Sequence, residues 1–171
     1  LEKRKTLEER IREAQERSSN VKGLYMTADV ANDAGKAGTW LRNSIIEIAD
    51  TTEINGIVID VKEVCGPDYN EERIKNLIGE LKRKDIWAIA RIAVFKDASQ
   101  IDMYPEWYLK RASVREASRD ECSRKRYLRA KREDGGHSSA LFWRDQRGGY
   151  WLDPASKGAQ AYIRDISKKM L

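Results

Sequence analysis

A nearly continuous apolar run from Ile86 to Asp97 most constrains the fold of this chain. It reads Ile-Trp-Ala-Ile-Ala-Arg-Ile-Ala-Val-Phe-Lys-Asp and follows a charged segment with a helical pattern. Such a run is typical of a strand that is buried on both faces, as in parallel sheets. Arg91 interrupts it, and a guanidinium in a buried strand requires carboxylate or carbonyl partners. We therefore assign Arg91 a structural role.

Other strands and helices alternate around this run. Strands are predicted over Val21–Val30 and Ile57–Val61, and helices over Trp40–Thr52, Asn70–Lys84 and Ala155–Leu171. Strands that alternate with helices at this spacing predict right-handed βαβ units with a parallel sheet. The predicted fold class is therefore α/β.

Charge is distributed unevenly along the 171 residues. The net charge is +5, but the stretch from Lys110 to Arg132 alone contains ten Lys or Arg against three Asp or Glu. The basic balance therefore belongs to one insertion, predicted over residues 110–136, and not to the whole fold. We predict a charged helical linker over residues 1–20 and one folded domain over residues 21–171.

The composition excludes several classes of chemistry. His137 is the single histidine, which argues against histidine triads and multi-histidine zinc sites. The two cysteines, Cys65 and Cys122, do not have the spacing of a metal motif. We expect no metal and no cofactor, so acid–base chemistry would have to come from carboxylate, lysine, tyrosine or cysteine side chains.

The beginning of the chain carries no signal-peptide pattern, and no apolar run reaches the roughly 18 to 20 residues of a membrane helix. The first residue is Leu1, which favours a fragment. A signal or anchor upstream would make the protein extracytoplasmic or membrane-anchored, and the compartment stays open.

Four motifs in order together resemble one known family, the glycoside hydrolase domain DUF4015. The resemblance covers residues 21–171 and rests on Lys22-Gly-Leu-Tyr-Met-Thr27, Glu53-Ile-Asn-Gly-Ile-Val-Ile-Asp-Val-Lys62, Ile89-Ala-Arg-Ile-Ala-Val-Phe-Lys-Asp97, and Trp143-Arg-Asp followed by Trp151-Leu-Asp-Pro154. It implies hydrolysis of O-glycosyl bonds in a polysaccharide by a (β/α)8 (TIM) barrel, of which this chain would be the first three βα units.

The resemblance also implies a fourth strand with a further aspartate after the last helix. That strand is not among the 171 residues, so we expect a fragment whose second catalytic carboxylate would lie beyond Leu171. Because glycoside hydrolysis ordinarily uses two carboxyl groups, we expect the isolated chain to be inactive. The alternative is a non-catalytic half-barrel that needs a partner and binds carbohydrate or anionic polymer. An open barrel edge would also favour self-association.

Asp60 is the candidate catalytic residue of this chain, because it lies near the end of the second predicted strand, where barrel enzymes place their chemistry. An equally weighted interpretation makes Asp60 a buried structural partner of Arg91. A carboxylate paired with an arginine stays ionised and is a poor proton donor.

The candidate substrate-binding residues lie at strand ends and in the loops that follow. Charged groups can hydrogen-bond sugar hydroxyls, and tryptophan faces can stack on sugar rings. The alternatives are a salt-bridge network between strands, tryptophans that anchor a loop, and, for Asp153, a cap on the last helix. The candidates are Lys62, Lys96, Asp97, Trp143, Asp145, Trp151 and Asp153.

Two expectations concern the loops. Cys65 and Cys122 fall on loops predicted to leave the same face, so a disulfide is geometrically feasible, although two free thiols are the default. The basic stretch 110–132 is interpreted first as a solvated surface insertion and next as a contact for anionic cell-envelope polymer. Nucleic acid is the least favoured partner, since Tyr127 is the only aromatic residue in that stretch.

Overall fold

The computed structural model describes residues 5–111 and 141–170. It has a mixed α/β fold, as the sequence predicts, in which helices alternate with the three longer strands. The elements are α1 (Leu7–Ser18), β1 (Gly23–Met26), α2 (Ala28–Asn32), α3 (Lys36–Thr51), β2 (Gly56–Glu63), β3 (Gly66–Pro67), α4 (Glu71–Arg83), β4 (Trp87–Ile92), a 3-10 turn (Pro105–Trp107) and α5 (Lys157–Lys169).

The small sheet is built around β2. Strand β1 pairs with β2 in parallel, which confirms the predicted arrangement of these two strands. Strand β4 also pairs with β2. Its Trp87 N–H donates to the Asn55 carbonyl, and the Ala93 N–H donates to the Lys62 carbonyl. Residue numbers increase in the same direction along β2 and β4 from the first hydrogen bond to the second. This pair of strands is therefore also parallel.

The short strand β3 folds back antiparallel on the end of β2, with Lys62 opposite Pro67. Gly66 makes this return, with a φ of +100°, where side chains rarely fit. A Cβ added there would also lie 2.5 Å from the Ser99 Cβ. The return therefore requires glycine at position 66.

Two of the predicted strands are longer than the observed ones. The strand predicted over Val21–Val30 ends at Met26, because the Thr27 hydroxyl accepts the Val30 N–H and begins α2. The strand predicted over Ile86–Asp97 ends at Ile92 and is not buried on both faces, since Ala90 and Arg91 are exposed. The mostly buried strand is β2, which has neighbours along both edges.

The helices agree more closely with the sequence. Helices α4 and α5 lie within their predicted ranges, and the Ser156 hydroxyl caps α5 by accepting the Ala159 N–H. Helix α3 begins four residues before Trp40, because the Asp33 carboxylate accepts the N–H groups of Gly35 and Gly38 at its start. Helix α1 has no buried residue, as expected of a solvated charged helix. The linker boundary at residue 20 stays a prediction.

The chain forms two compact units. The first contains residues up to Ile59 together with Glu71–Ile89, and the second contains Asp60–Asn70 together with residues from Ala90 onward. The core of the second unit is an aromatic and aliphatic cluster of Ala98, Ile101, Tyr108, Phe142, Tyr150, Leu152 and Ala159. Among the described residues, no helix combines the length and apolar character needed to cross a bilayer.

Candidate functional site

Asp60 and Arg91 form an ion pair in the second unit. Asp60 follows Ile59 along β2 and its side chain is fully buried, whereas the Arg91 side chain is 52% exposed. The Arg91 Nη1 lies 2.5 Å from the Asp60 Oδ1. The structure thus contains the ion pair between Asp60 and Arg91 that the structural interpretation of Asp60 expects. The catalytic role of Asp60 stays a prediction.

Lys62 and Asp97 form a second ion pair that is closed to solvent. The Lys62 Nζ lies 3.0 Å from the Asp97 Oδ2, and neither side chain has exposed area. The same Nζ donates to the Ala93 carbonyl. Burial lowers the pKa of Lys62, and the charge and hydrogen bond of Asp97 oppose this effect. Each charge already has the other as its partner and neither side chain is exposed, so this arrangement favours the salt-bridge interpretation for both.

Tyr162 on α5 completes the surroundings of Asp97. Its hydroxyl donates to the Asp97 Oδ2 at 3.0 Å and lies 3.2 Å from the Ser99 Oγ, while the Ser99 N–H donates to the Asp97 Oδ1 at 2.7 Å. Burial and the negative charge of Asp97 raise the pKa of Tyr162. Asp97 therefore accepts from a lysine, a tyrosine and a backbone amide, which satisfies its charge inside the protein.

Four isolated antiparallel pairings build a short ribbon beside this network. They join Lys96 to Trp151, Tyr108 to Leu152, Lys110 to Phe142, and Arg144 to Tyr150. We call these paired segments the aromatic ribbon. Burial alternates along it, since Phe142, Arg144, Tyr150 and Leu152 are buried, whereas Trp143 is exposed and Asp145 and Trp151 are half-buried. This is the period of two that separates the faces of a strand.

The outer face of the aromatic ribbon consists of Lys96, Trp143, Asp145 and Trp151. The two indole rings meet edge to face with centroids 6.2 Å apart, and Trp143 as a residue is 43% exposed. The Asp145 Oδ2 lies 3.0 Å from the Lys96 Nζ and accepts the Trp151 indole N–H at 3.1 Å. The structure thus brings together four of the seven predicted substrate-binding residues.

Asp145 is held in its ionised form. Burial alone would raise its pKa, but hydrogen bonds from the Gly149 amide, the Lys96 ammonium and the Trp151 indole outweigh burial and lower the pKa of Asp145 to about 2. The Arg147 N–H also donates to the Asp145 Oδ1 at 3.0 Å. The carboxylate therefore fixes the turn of the ribbon and acts only as an acceptor at neutral pH.

The inner face of the aromatic ribbon joins the core of the second unit. The rings of Tyr108, Phe142 and Tyr150 contact one another edge to face, with centroids 6.2 to 6.5 Å apart. Arg144 lies on this face, and the centre of its guanidinium is 5.2 Å from the centroid of the Tyr150 ring. A charged side chain therefore interrupts an otherwise aromatic and aliphatic surface.

The remaining predicted residues have different outcomes. Asp153 does not cap α5, since Ser156 does so, and the Asp153 Oδ1 instead accepts the Ala155 N–H at 2.8 Å. Cys65 is not a free thiol. Its expected partner Cys122 lies outside the described residues, so the bridge stays a prediction.

Most of the basic stretch 110–132 also lies outside the described residues. Within residues 5–111 and 141–170, no group of three or more His, Cys, Asp or Glu is placed to hold a metal ion.

The family described as "Putative glycosyl hydrolase domain" (DUF4015) matches residues 23–171. The chain belongs to this family. A crystal structure of a hypothetical protein from Ruminiclostridium thermocellum resembles this DUF4015 chain in fold, with a TM-score of 0.60 and 20% sequence identity. The match covers 86% of this chain and 69% of that one. No curated protein matches this DUF4015 chain.

Two residues of the candidate site, Tyr162 and Arg144, were not predicted from the sequence. Tyr162 lies on α5 in a stripe with Ala159, Ile163 and Ile166, at the spacing of a buried helix face. A buried tyrosine needs a hydrogen-bond partner for its hydroxyl, and this requirement could have marked Tyr162 as part of a polar network. Arg144 alternates with Phe142, a period-two pattern that places it on the buried side of a strand.

Proposed function

We propose that this domain takes part in hydrolysing O-glycosyl bonds of a polysaccharide and that the outer face of the aromatic ribbon binds the sugar chain. Family membership supports the reaction class, and the outer face supports the binding role. Its exposed Trp143 offers an apolar surface of the kind that stacks on a pyranose ring, and Trp151 holds it at a fixed angle.

The charged groups around the two indoles suit sugar hydroxyls. The Lys96 ammonium donates hydrogen bonds and the Asp145 carboxylate accepts them, and each side chain keeps part of its surface exposed. Their mutual contact at 3.0 Å holds both in place before a ligand arrives. An aromatic surface bordered by a preorganised donor and acceptor is the arrangement on which this proposal rests.

The proposed architecture is the front of a (β/α)8 barrel. Neighbouring strands β1, β2 and β4 follow one another in the chain with helices between them, which is the connectivity of consecutive barrel units. The carboxylate proposed for chemistry is Asp60, because it lies in the second half of β2, three residues before the strand ends at Glu63. A paired carboxylate such as Asp60 suits a nucleophile or base better than an acid.

A second candidate function is carbohydrate binding without catalysis by this chain. One observation favours it: the three carboxylates of the described site, Asp60, Asp97 and Asp145, each lie against a cation at 2.5 to 3.0 Å. Glycoside hydrolysis requires one carboxyl group that can carry a proton. None of these three is arranged as that proton donor, so we expect the purified chain to bind a glycan without turnover.

Binding and hydrolysis measured on the same chain test this proposal. The purified 171-residue chain would be screened against neutral and acidic polysaccharides by affinity electrophoresis, and bound polymers would be assayed for new reducing ends. We expect Trp143→Ala to weaken binding about tenfold, the equivalent of ~1.4 kcal/mol.

The control is Trp40→Ala, because Trp40 lies on α3 in the first unit and is 70% exposed. We expect it to leave glycan binding unchanged. Equal binding by both variants and the wild type would contradict the outer face as the sugar site. Turnover by the wild type that Asp60→Asn loses would support catalysis by this chain. Binding of glycan by the wild type without turnover would support the binding-only function.

A further inference from the structure

Arg144 is a buried charged side chain, and two of its three guanidinium nitrogens lack a hydrogen-bond acceptor within the described part of the chain. Only 6% of the residue is exposed, and both its Nε and its Nη2 are shielded from solvent. Among residues 5–111 and 141–170, neither nitrogen has a hydrogen-bond partner. Its guanidinium lies against the face of the Tyr150 ring.

Burying a charged group without a partner of opposite charge costs free energy. Burial removes the positive charge of the guanidinium from water. Buried charges in proteins are paired, since an unpaired one costs several kcal/mol. The cation–π contact with Tyr150 recovers on the order of 2 kcal/mol at most. The neighbouring carboxylate is already used, because Asp145 binds Lys96, Trp151 and two turn amides.

The two nitrogens without partners belong to the same edge of the guanidinium. The Nε–H and one Nη2–H point in parallel along this edge, at the spacing of two oxygens of a carboxylate. This is one of the edges through which arginine makes bidentate pairs with planar oxyanions. The structure therefore leaves a complete two-point receptor unused, and not two unrelated donors.

The ribbon also holds the guanidinium in place. Arg144 is paired antiparallel with Tyr150, whose ring is buried against Tyr108 and Phe142. The ring and the guanidinium sit 5.2 Å apart, so the arginine is supported from one side before any ligand arrives. A fixed receptor loses little conformational entropy on binding, which favours affinity for a small group.

We propose that the Nε–Nη2 edge of Arg144 binds one carboxylate as a bidentate pair. The charge favours a monovalent carboxylate over phosphate, because one uncompensated positive charge balances one negative charge. The carboxylate has two potential sources, a small free acid or the acid group of a uronic sugar. Only the second source rests on the proposed polysaccharide function.

The experiment follows the arginine side chain directly. Nitrogen–proton spectra of the arginine Nε region of the 171-residue chain would be recorded while sodium acetate replaces sodium chloride at constant ionic strength and pH. Arg144→Lys assigns the resonance, because lysine keeps the charge but has no bidentate edge. We expect the Arg144 Nε–H resonance to move downfield and saturate, and the apparent Tm to rise in parallel.

Two controls isolate the effect. Arg147→Lys changes an exposed arginine of the same turn, and we expect it to keep the rise in Tm that Arg144→Lys loses. Glucuronate compared with glucose separates the sources. A response to glucuronate alone identifies a uronic acid site, and a response to acetate identifies a general carboxylate site.

No movement of any Nε resonance and no change in Tm with either acid would overturn the proposal. If Arg144→Lys does not fold, the wild-type titration still decides, since one saturable Nε resonance supports the site and none contradicts it. The outcome is independent of the Trp143 binding test, so failure here leaves the proposed polysaccharide function standing.

Discussion

The Lys62 Nζ lies 3.0 Å from the Asp97 Oδ2, and both side chains are completely buried. Replacing only one member of such a pair leaves the other charge without compensation. We therefore expect Lys62→Met to lower the free energy of unfolding by about 3–5 kcal/mol, measured by urea denaturation.

The matched control is Lys84→Met. Lys84 pairs with Asp50 at 2.5 Å, but about a third of each side chain is exposed, so we expect a loss below about 1 kcal/mol. Similar decreases in the free energy of unfolding of the two variants would show that burial does not determine how much the Lys62–Asp97 pair contributes to stability.

Tyr162 gives the protein a dependence on alkaline pH. Its pKa is raised above the ordinary 10.0, first by burial and then by the negative charge of Asp97. The unfolded chain therefore releases this proton first. The stabilisation is fully present below about pH 10 and decreases as the pH rises further.

We expect Tyr162→Phe to remove this part of the alkaline loss and to cost about 1.5–3 kcal/mol at neutral pH, because a hydrogen bond to a charged acceptor is lost. The measurement is the free energy of unfolding from about pH 8 to pH 11. An unchanged alkaline slope in the variant would contradict the role of the Tyr162–Asp97 contact.

Asp145 gives the opposite dependence in acid. Its pKa is lowered from 3.8 to about 2 in the folded protein. Its contribution is therefore present above about pH 4 and is lost as the pH falls from 3.8 towards 2.

We expect Asp145→Asn to be less stable than the wild type at neutral pH and to lose less stability over this acid range. Acid unfolding followed by tryptophan fluorescence measures the difference. Asp165→Asn, an exposed position on α5, serves as control and should keep the wild-type acid profile.

Gly158 in α5 lies against Trp107. A Cβ added to Gly158 would be 2.1 Å from the Trp107 Nε1, well inside contact distance. Alanine usually stabilises a helix by about 0.5–1 kcal/mol relative to glycine. Here the ring must move, so we expect Gly158→Ala to destabilise by about 1–3 kcal/mol in thermal or urea unfolding.

Gly79 in α4 provides the comparison, because the nearest atom to an added Cβ there is the Arg83 Nη1 at 3.6 Å. We expect Gly79→Ala to be neutral or to stabilise by up to about 1 kcal/mol. Stabilisation by Gly158→Ala would mean that the Trp107 ring is free to shift.

Periodic and capping signals predicted the elements well where they are local. The ranges of α4 and α5, the parallel pairing of β1 with β2, and the helical character of α1 all follow from spacing and charge in the sequence. The end of β1 was predicted too late in the chain, because threonine can continue a strand or cap a helix. In the structure Thr27 caps α2, since its hydroxyl accepts the Val30 N–H.

The site was harder to predict because its partners are distant in sequence. The apolar run containing Arg91 suggested a buried arginine, whereas its partner Asp60 is buried and Arg91 itself is half exposed. Lys62 and Asp97 looked like residues of an open barrel mouth, but Tyr162, 65 positions after Asp97, helps to close them off. No local pattern encodes contacts that form only when distant segments meet.

The alternation along the aromatic ribbon constrains how relatives of this chain can vary in length. One residue inserted between Phe142 and Asp145, or between Tyr150 and Leu152, would exchange the two faces beyond it, exposing core rings and burying the indoles. Insertions and deletions should therefore be confined to the turn at 146–149, or occur elsewhere in pairs. The spacing of the indoles and the inner aromatic residues is thus expected to be inherited as one unit, even where individual side chains are exchanged.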